Sequence, residues 1–224
     1  MNKKYLLPLI LAVMTALASA LLMGSDAFTA KPIAEQKQQA LLRSLELLMP
    51  DGAYDNDILV DKLTVNEPVV LGHRKAMDVY LGYLNDVLSV VAIPVIAQNG
   101  YSGDIELMVG VKADGSITAV EVLAHKETPG LGDLIERRKG DWLQQFEGQQ
   151  LNDKTQAEWL VKKDGGQFDQ ITGATITPRA VVLAVKKAML YFESHKQQWQ
   201  KQNWRTRVHQ AMTTETSNQG DNDE

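Results

Sequence analysis

The pattern of apolar and polar residues predicts three consecutive β-strands in the middle of the chain. Residues 88–98 are apolar and rich in β-branched side chains, while residues 105–111 and 117–123 alternate between apolar and polar. Two short turn sequences, Asn99-Gly100 and residues 113–116, separate these three runs. Because strands joined by tight turns pair antiparallel, we expect a meander with one buried face.

Helical patterns lie on both sides of this meander, and together they predict an α+β fold. Residues 34–49 and 134–146 have apolar residues at helical spacing, and residues 178–199 have a wide apolar face typical of a core helix. A short strand is predicted over residues 158–163. The mixed pattern of residues 54–83 indicates only short strands and a helix.

The amino-terminal run of residues 6–23 is uncharged and apolar, and it is long enough to cross a membrane. A helix of that length spans about 27 Å, close to the ~30 Å hydrocarbon core of a bilayer. Two lysines before the run predict a cytoplasmic amino terminus, with the rest of the chain outside the cytoplasm. A signal peptide cleaved near residues 18–20 is the alternative, but the apolar run continues past that site, which favours a retained anchor.

These patterns divide the chain into four predicted segments. Residues 1–24 form a single transmembrane anchor, and residues 25–87 form a membrane-proximal helical and linker region that packs on the main domain. The main domain covers residues 88–200. Residues 201–224 form a polar tail that we expect to be disordered, because it offers few apolar residues to bury.

Composition narrows the range of functions. The net charge of −5 and the pI of about 5.4 argue against nucleic-acid binding, which needs a basic face. The absence of cysteine excludes disulfides, thiolate metal sites, iron–sulfur ligation and thiol catalysis. No metal site is predicted, because the four histidines have no metal-ligand spacing: His73, His125, His195 and His209.

The segment 169–178 is the first candidate site. Thr177 is predicted to cap a helix and Pro178 to occupy its first position, where a missing N–H costs nothing. Unpaired backbone N–H groups at a helix start attract anions. A phosphate there could be bound by the backbone, or esterified by one of three hydroxyls: Thr172, Thr175 and Thr177.

The loop 125–132, with the sequence His-Lys-Glu-Thr-Pro-Gly-Leu-Gly, directly follows the third strand and is the second candidate site. Its proline and two glycines predict an irregular backbone that a ligand can approach closely. Glu127 has no partner carboxylate nearby in sequence, which argues against a two-acid hydrolase. Taken singly, each candidate segment is more typical of an ordinary connection between elements than of a binding site.

Together, the two segments resemble the signatures of a known family. The sequence Asp169-Gln170-Ile171-Thr172-Gly173-Ala174-Thr175 resembles the flavinylation motif of proteins that carry FMN covalently through its phosphate, and residues 125–132 resemble the second signature of that FMN-binding domain. With the anchor, the chain resembles the G subunit of the Rnf-type ion-translocating electron transport complex over residues 1 to about 200. It is also similar to a paralogue, the C subunit of the sodium-pumping NADH:quinone reductase.

The resemblance implies a set of site residues. Thr175, the last residue of the motif, is the implied FMN attachment point. A separate magnesium-dependent flavin transferase that moves FMN from FAD is implied to recognise Asp169, Thr172, Gly173 and Ala174. No residue of the chain is expected to be catalytic. The further residues expected to contact the cofactor are Glu127, Thr128, Gly130, Leu131, Gly132, Thr172, Gly173, Ala174 and Thr177.

The function implied by the resemblance is electron transfer in a redox-driven ion pump. The chain would be a flavoprotein subunit of a bacterial inner-membrane complex, with its main domain in the periplasm and no complete activity alone. It would pass electrons between partners on the ferredoxin and NADH sides, and its compact size favours the Rnf-type protein over the paralogue. The alternatives from other classes are a membrane-tethered regulatory flavin module and a structural module without cofactor.

Overall fold

A five-stranded antiparallel sheet and two long helices make up the fold, which confirms the predicted α+β class. The computed structural model describes residues 3–152 and 156–219. The strands lie in the sheet in chain order. The bounds of the elements are α1 Lys3–Leu48, β1 Lys62–Val65, β2 Met77–Leu84, β3 Val87–Ala97, β4 Ile105–Lys112, β5 Ile117–Ala124 and α2 Ile176–Gln219.

Contacts divide the chain into two units, Met1–Arg43 and Ser44–Glu224. The first unit contains most of α1, and the helix predicted over residues 34–49 is the last part of α1, which ends at Leu48. Among the residues that the structure describes, no helix combines the length and apolar character needed to cross a membrane. The predicted anchor over residues 1–24 falls partly outside those residues and stays a prediction.

The three-stranded meander is confirmed by the register of β3, β4 and β5. Val109 pairs with Ile93 on one side and with Val120 on the other, and all three are fully buried. The sheet also contains β1 and β2, so it begins before residue 88, the predicted start of the main domain. Five consecutive buried residues in β2 remove the alternation by which a half-buried strand is recognised in sequence.

Helix α2 packs against β3 and β4 through the apolar face predicted for it. Val181, Val185 and Phe192 on this face are fully buried. The helical backbone continues to Gln219, which differs from the disordered tail predicted after residue 200. The sequence contains neither glycine nor proline between residues 180 and 219, so nothing in it breaks the helix there. Residues 220–224 of the predicted tail lie outside the described residues.

Two predictions of local structure between β5 and α2 are wrong. The helix predicted over residues 134–146 is replaced by two short 3-10 helices, Gly132–Ile135 and Trp142–Phe146, because Glu136 adopts an extended conformation. The strand predicted over residues 158–163 forms only a single bridge, between Val161 and Phe168. Trp159 and Val161 are buried while Leu160 between them is exposed, which gives this segment the alternating pattern of a strand. In the part of the chain that the structure describes, it pairs with no strand of the five-stranded sheet.

Candidate functional site

The middle of the flavinylation-like motif forms a tight turn. Ala174 N–H donates to the carbonyl oxygen of Ile171 at 3.0 Å, which closes a four-residue turn. Gly173 occupies the third position with φ of 83°, the conformation that a type II turn requires and that glycine adopts without strain. Ile171 is buried, while Thr172 and Gly173 are exposed. The turn therefore presents Thr172 and Gly173 to solvent.

The second candidate loop contains a turn of the same kind. Leu131 N–H donates to the carbonyl oxygen of Thr128 at 3.2 Å. Pro129 stands at the second position, and Gly130 stands at the third with φ of 77°. This is the order of proline and glycine that favours a type II turn. The half-buried Thr128 therefore contributes its backbone to the shape of the loop.

The structure brings these two turns into contact. A Cβ atom built on Gly173 would lie only 2.9 Å from Cδ2 of Leu131. The Leu131 side chain therefore packs directly over Gly173, and it remains 41% exposed. Two turns from distant parts of the sequence thus form one continuous surface, as expected if both motifs serve one site.

Glu127 joins the second loop to the rest of the site through its buried carboxylate, which is only 4% exposed. Its Oε1 accepts a hydrogen bond from Ser102 N–H at 2.9 Å, and its Oε2 accepts one from the Thr177 hydroxyl. A Cβ atom on Gly132 would come within 2.9 Å of Oε2 and 3.0 Å of the Thr177 oxygen. Gly132 is therefore needed for the close approach of the loop to α2, whether or not it contacts a cofactor.

The three threonines of the segment 169–178 have different environments. Thr177 is 1% exposed and lies inside the first turn of α2, which begins at Ile176, so the prediction that Thr177 caps the helix is wrong. Its single hydroxyl proton is directed at Glu127 and is not available for another acceptor. Thr172 is exposed in the turn. Thr175 is half-buried and directly precedes α2, and among the described residues its hydroxyl has no hydrogen-bond partner.

The start of α2 suits a phosphate group. The first turn of this helix contains no acidic residue that would compete for its unpaired N–H groups. The partial positive charge of the helix start favours an anion at the residue just before it, which is Thr175. Pro178 is the third helical residue rather than the first, but its missing N–H is still one of the four that lack an intrahelical acceptor. The donors present therefore fit a phosphate.

Asp169 and Ala174 complete the positions predicted from sequence. The Asp169 side chain is 63% exposed, and its Oδ1 lies 2.5 Å from the ammonium nitrogen of Lys162. Ala174 is half-buried beside the exposed turn. The motif thus runs from an exposed acidic residue to the half-buried Thr175, over a surface that another protein can reach.

A polar network behind the second loop could not be found from sequence. Glu127 N–H donates to Nδ1 of His125 at 3.0 Å, so the proton of the neutral ring is on Nε2, which donates to Glu136 Oε1 at 3.0 Å. Burial opposes ionisation of Glu136, but hydrogen bonds from Arg138, Lys139 and His125 outweigh it and lower its pKa to about 2. His125 therefore links the backbone of the second loop at Glu127 to the Glu136 carboxylate.

This network predicts a pH-dependent contribution to stability. Because the folded-state pKa of Glu136 lies below the unfolded value of about 4.3, its ionisation stabilises the fold at neutral pH. That contribution is lost as the pH falls from about 5 towards 2. In urea unfolding, Glu136→Gln should have a lower free energy of unfolding than wild type at pH 7, and the difference should shrink towards pH 3. A difference that is constant between pH 7 and 3 would contradict this assignment.

Comparison with known proteins places this site within a family. Residues 100–190, which include both turns and Ser102, match the family described as FMN-binding domain. The chain is 47% identical over 190 residues to the G subunit of the ion-translocating oxidoreductase complex of Vibrio cholerae serotype O1 (strain M66-2), an alignment that covers 85% of this chain and 90% of that protein. The chain belongs to this G-subunit family. The resemblance inferred from the motifs is thereby confirmed.

Other members of the G-subunit family are similar over most of their length. The protein of that name from Aliivibrio fischeri (strain ATCC 700601 / ES114) is 45% identical over 192 residues, covering 86% of this chain and 91% of the relative. The protein from Pseudomonas aeruginosa (strain UCBPP-PA14) is 47% identical over 170 residues, covering 76% and 79%. The match to the FMN-binding domain family indicates FMN as the cofactor.

Proposed function

We propose that this chain is an electron-carrying flavoprotein subunit of an Rnf-type ion-translocating complex, with FMN attached through a phosphoester to Thr175. One observation carries the choice of residue. The Thr175 hydroxyl directly precedes α2, is half-exposed, and has no hydrogen-bond partner among the described residues. The exposed Thr172 lies in the turn, farther along the chain from α2, and Thr177 is buried against Glu127.

The attachment is a phosphoryl-group transfer that a separate magnesium-dependent transferase catalyses with FAD as the donor. The Thr175 oxygen forms a bond to the flavin-side phosphorus, while the bond between that phosphorus and the bridging oxygen breaks. AMP leaves with the electron pair, and the hydroxyl proton passes to a base of the transferase. Asp169, Thr172 and Gly173 are exposed, which suits recognition by the transferase.

The residues around Thr175 hold the cofactor by two kinds of interaction. Backbone N–H groups at the start of α2, with the Thr172 hydroxyl, donate to the phosphate. The exposed Leu131 side chain and the turn at Gly130 provide an apolar surface beside the attachment point. When bound, FMN supplies the electron-transfer chemistry, and the protein supplies position and electrostatic environment.

The names of the relatives support a place in a larger complex. Relatives that are 45% and 47% identical are named as the G subunit of an ion-translocating oxidoreductase complex, which favours the Rnf-type complex over the quinone-reductase paralogue. The other proteins of that complex are the proposed partners, and the chain alone has no complete activity. The apolar run at residues 6–23 and the lysines before it support a single-pass anchor in the inner membrane, with the flavin domain in the periplasm.

Intact-mass measurement of the full chain, purified from its native membrane, tests this function. We expect the mass of the chain increased by one FMN less one water, and flavin fluorescence that stays with the band on a denaturing gel. The same mass shows whether residues 1–24 are retained. An unmodified mass together with a band that does not fluoresce would contradict covalent attachment.

A further inference from the structure

The backbone of Asp169 is held on both sides by two side chains of the 3-10 helix Trp142–Phe146. The Trp142 indole Nε1–H donates to the carbonyl oxygen of Asp169 at 2.8 Å. Asp169 N–H in turn donates to Oε1 of Gln145 at 2.6 Å. Two side chains thus take the place that a neighbouring strand would fill in a sheet, and we call this pair the Trp142–Gln145 clamp.

The clamp is ordered by contacts within its own helix. The Gln145 amide nitrogen donates to the carbonyl oxygen of Trp142 at 2.8 Å, which turns the amide oxygen towards Asp169. The Trp142 ring meets Phe146 edge to face, with ring centroids 5.6 Å apart. Both groups are therefore in place without help from the segment that they hold.

The clamp holds a short exposed stretch, Asp169 and Gln170, that lies between two buried side chains. Phe168 and Ile171 are 1% and 7% exposed, while Asp169 and Gln170 between them are exposed. Without the clamp, the peptide groups at Asp169 would have only water as partner. With it, the exposed Asp169 carboxylate projects from a backbone of fixed position.

We propose that Trp142 and Gln145 are positioning residues for flavin attachment, because they present the start of the motif to the flavin transferase as a preformed surface. A transferase that had to order a flexible segment would lose binding free energy to conformational entropy, and a clamp removes that cost. The proposal rests on the proposed attachment at Thr175, but it concerns the rate of attachment rather than its site.

Trp159 offers a matched control for Trp142. It belongs to the same aromatic cluster, with its ring centroid 5.0 Å from that of Phe168. It is fully buried, and no acceptor among the described residues lies within hydrogen-bonding distance of its Nε1. Trp159→Phe therefore removes an indole that makes no hydrogen bond to the motif. Trp142→Phe removes the hydrogen bond to Asp169, and both variants keep an aromatic ring.

The test compares initial rates of flavin attachment in full-length variants incubated with transferase, FAD and Mg²⁺, well below their melting temperatures. We expect Trp142→Phe and Gln145→Met each to lower kcat/KM for the protein substrate about fivefold, because each loses its one partly exposed hydrogen bond to the Asp169 backbone. The Asp169 amide should also exchange hydrogen faster in Gln145→Met. Trp159→Phe should lose more thermal stability than either variant, yet keep its rate within about twofold of wild type.

Each outcome separates the two proposals. Equal rates for wild type and Trp142→Phe, with wild type labelled at Thr175, would overturn the clamp and leave the attachment site intact. An equal loss of attachment rate in Trp159→Phe and Trp142→Phe would also overturn the clamp. Packing of the aromatic cluster, rather than the hydrogen bond to Asp169, would then explain the slower attachment. Wild type that is not labelled, or is labelled elsewhere, would instead overturn the proposed function. If Trp142→Phe does not fold, Gln145→Met gives the same comparison.

Discussion

Replacing Thr175 with alanine is expected to abolish covalent flavin completely. The variant lacks the oxygen that forms the ester, and neither neighbouring threonine can replace it. Thr177 is buried with its proton committed to Glu127, and Thr172 lies in the exposed turn, three residues before Thr175. The measurement is flavin fluorescence of the denatured protein on a gel, after expression with the transferase.

Two matched variants make this result specific. Thr175→Ser keeps a hydroxyl at the start of α2 and should still be labelled, whereas Thr172→Ala keeps the acceptor and should be labelled more slowly, because it alters the surface that the transferase contacts. The variants Thr175→Ala, Thr175→Ser and Thr172→Ala should unfold at similar urea concentrations, since neither threonine side chain makes a hydrogen bond to a described residue. Strong fluorescence in Thr175→Ala would show that another residue is the acceptor.

Replacing Glu127 with alanine is expected to cause the largest loss of stability at the site, about 3 kcal/mol. The substitution leaves the Ser102 N–H and the Thr177 hydroxyl without their acceptor in a buried environment. It also removes the link between the second loop and the helix that follows Thr175, so flavin attachment should slow as well. Urea unfolding at pH 7 measures the change in the free energy of unfolding.

Glu127→Gln is the control for that prediction. Its amide oxygen can accept from Ser102 N–H, and its amide nitrogen can donate to the Thr177 oxygen, so the geometry is kept. We expect it to lose about 1 kcal/mol, close to the net value of one hydrogen bond. If the alanine and glutamine variants lost the same stability, the two hydrogen bonds would not be the reason that Glu127 is buried.

The features that could be predicted from sequence are those that depend on neighbours along the chain. Strand β3 follows from its β-branched apolar run, and β4 and β5 follow from alternation between turn sequences. Helix α2 follows from helical spacing after Pro178. The turn at Gly173 is also local, because a turn that needs a positive φ selects glycine, but it is not among the turns predicted from the sequence. Local conformational preference is enough in these places.

The features that could not be predicted depend on contacts between distant residues. Glu127 meets Ser102 across 25 positions and Thr177 across 50, and no periodicity marks such pairs. A threonine before a proline is a common helix cap, which is the basis of the prediction for Thr177, but its hydroxyl instead binds the buried carboxylate. The Trp142–Gln145 clamp likewise joins two segments that the sequence pattern treats separately, as a helix and a loop.

Mapping the modified residue by tandem mass spectrometry tests the central claim most directly. Trypsin cleaves after Lys163 and Arg179, so Thr172, Thr175 and Thr177 fall within a single peptide. Fragment ions between Thr172 and Thr177 distinguish the three candidate positions. We expect the added mass of FMN less water on Thr175 in protein from its native membrane. The same mass on Thr172 or Thr177, or a peptide without modification, would contradict the assignment.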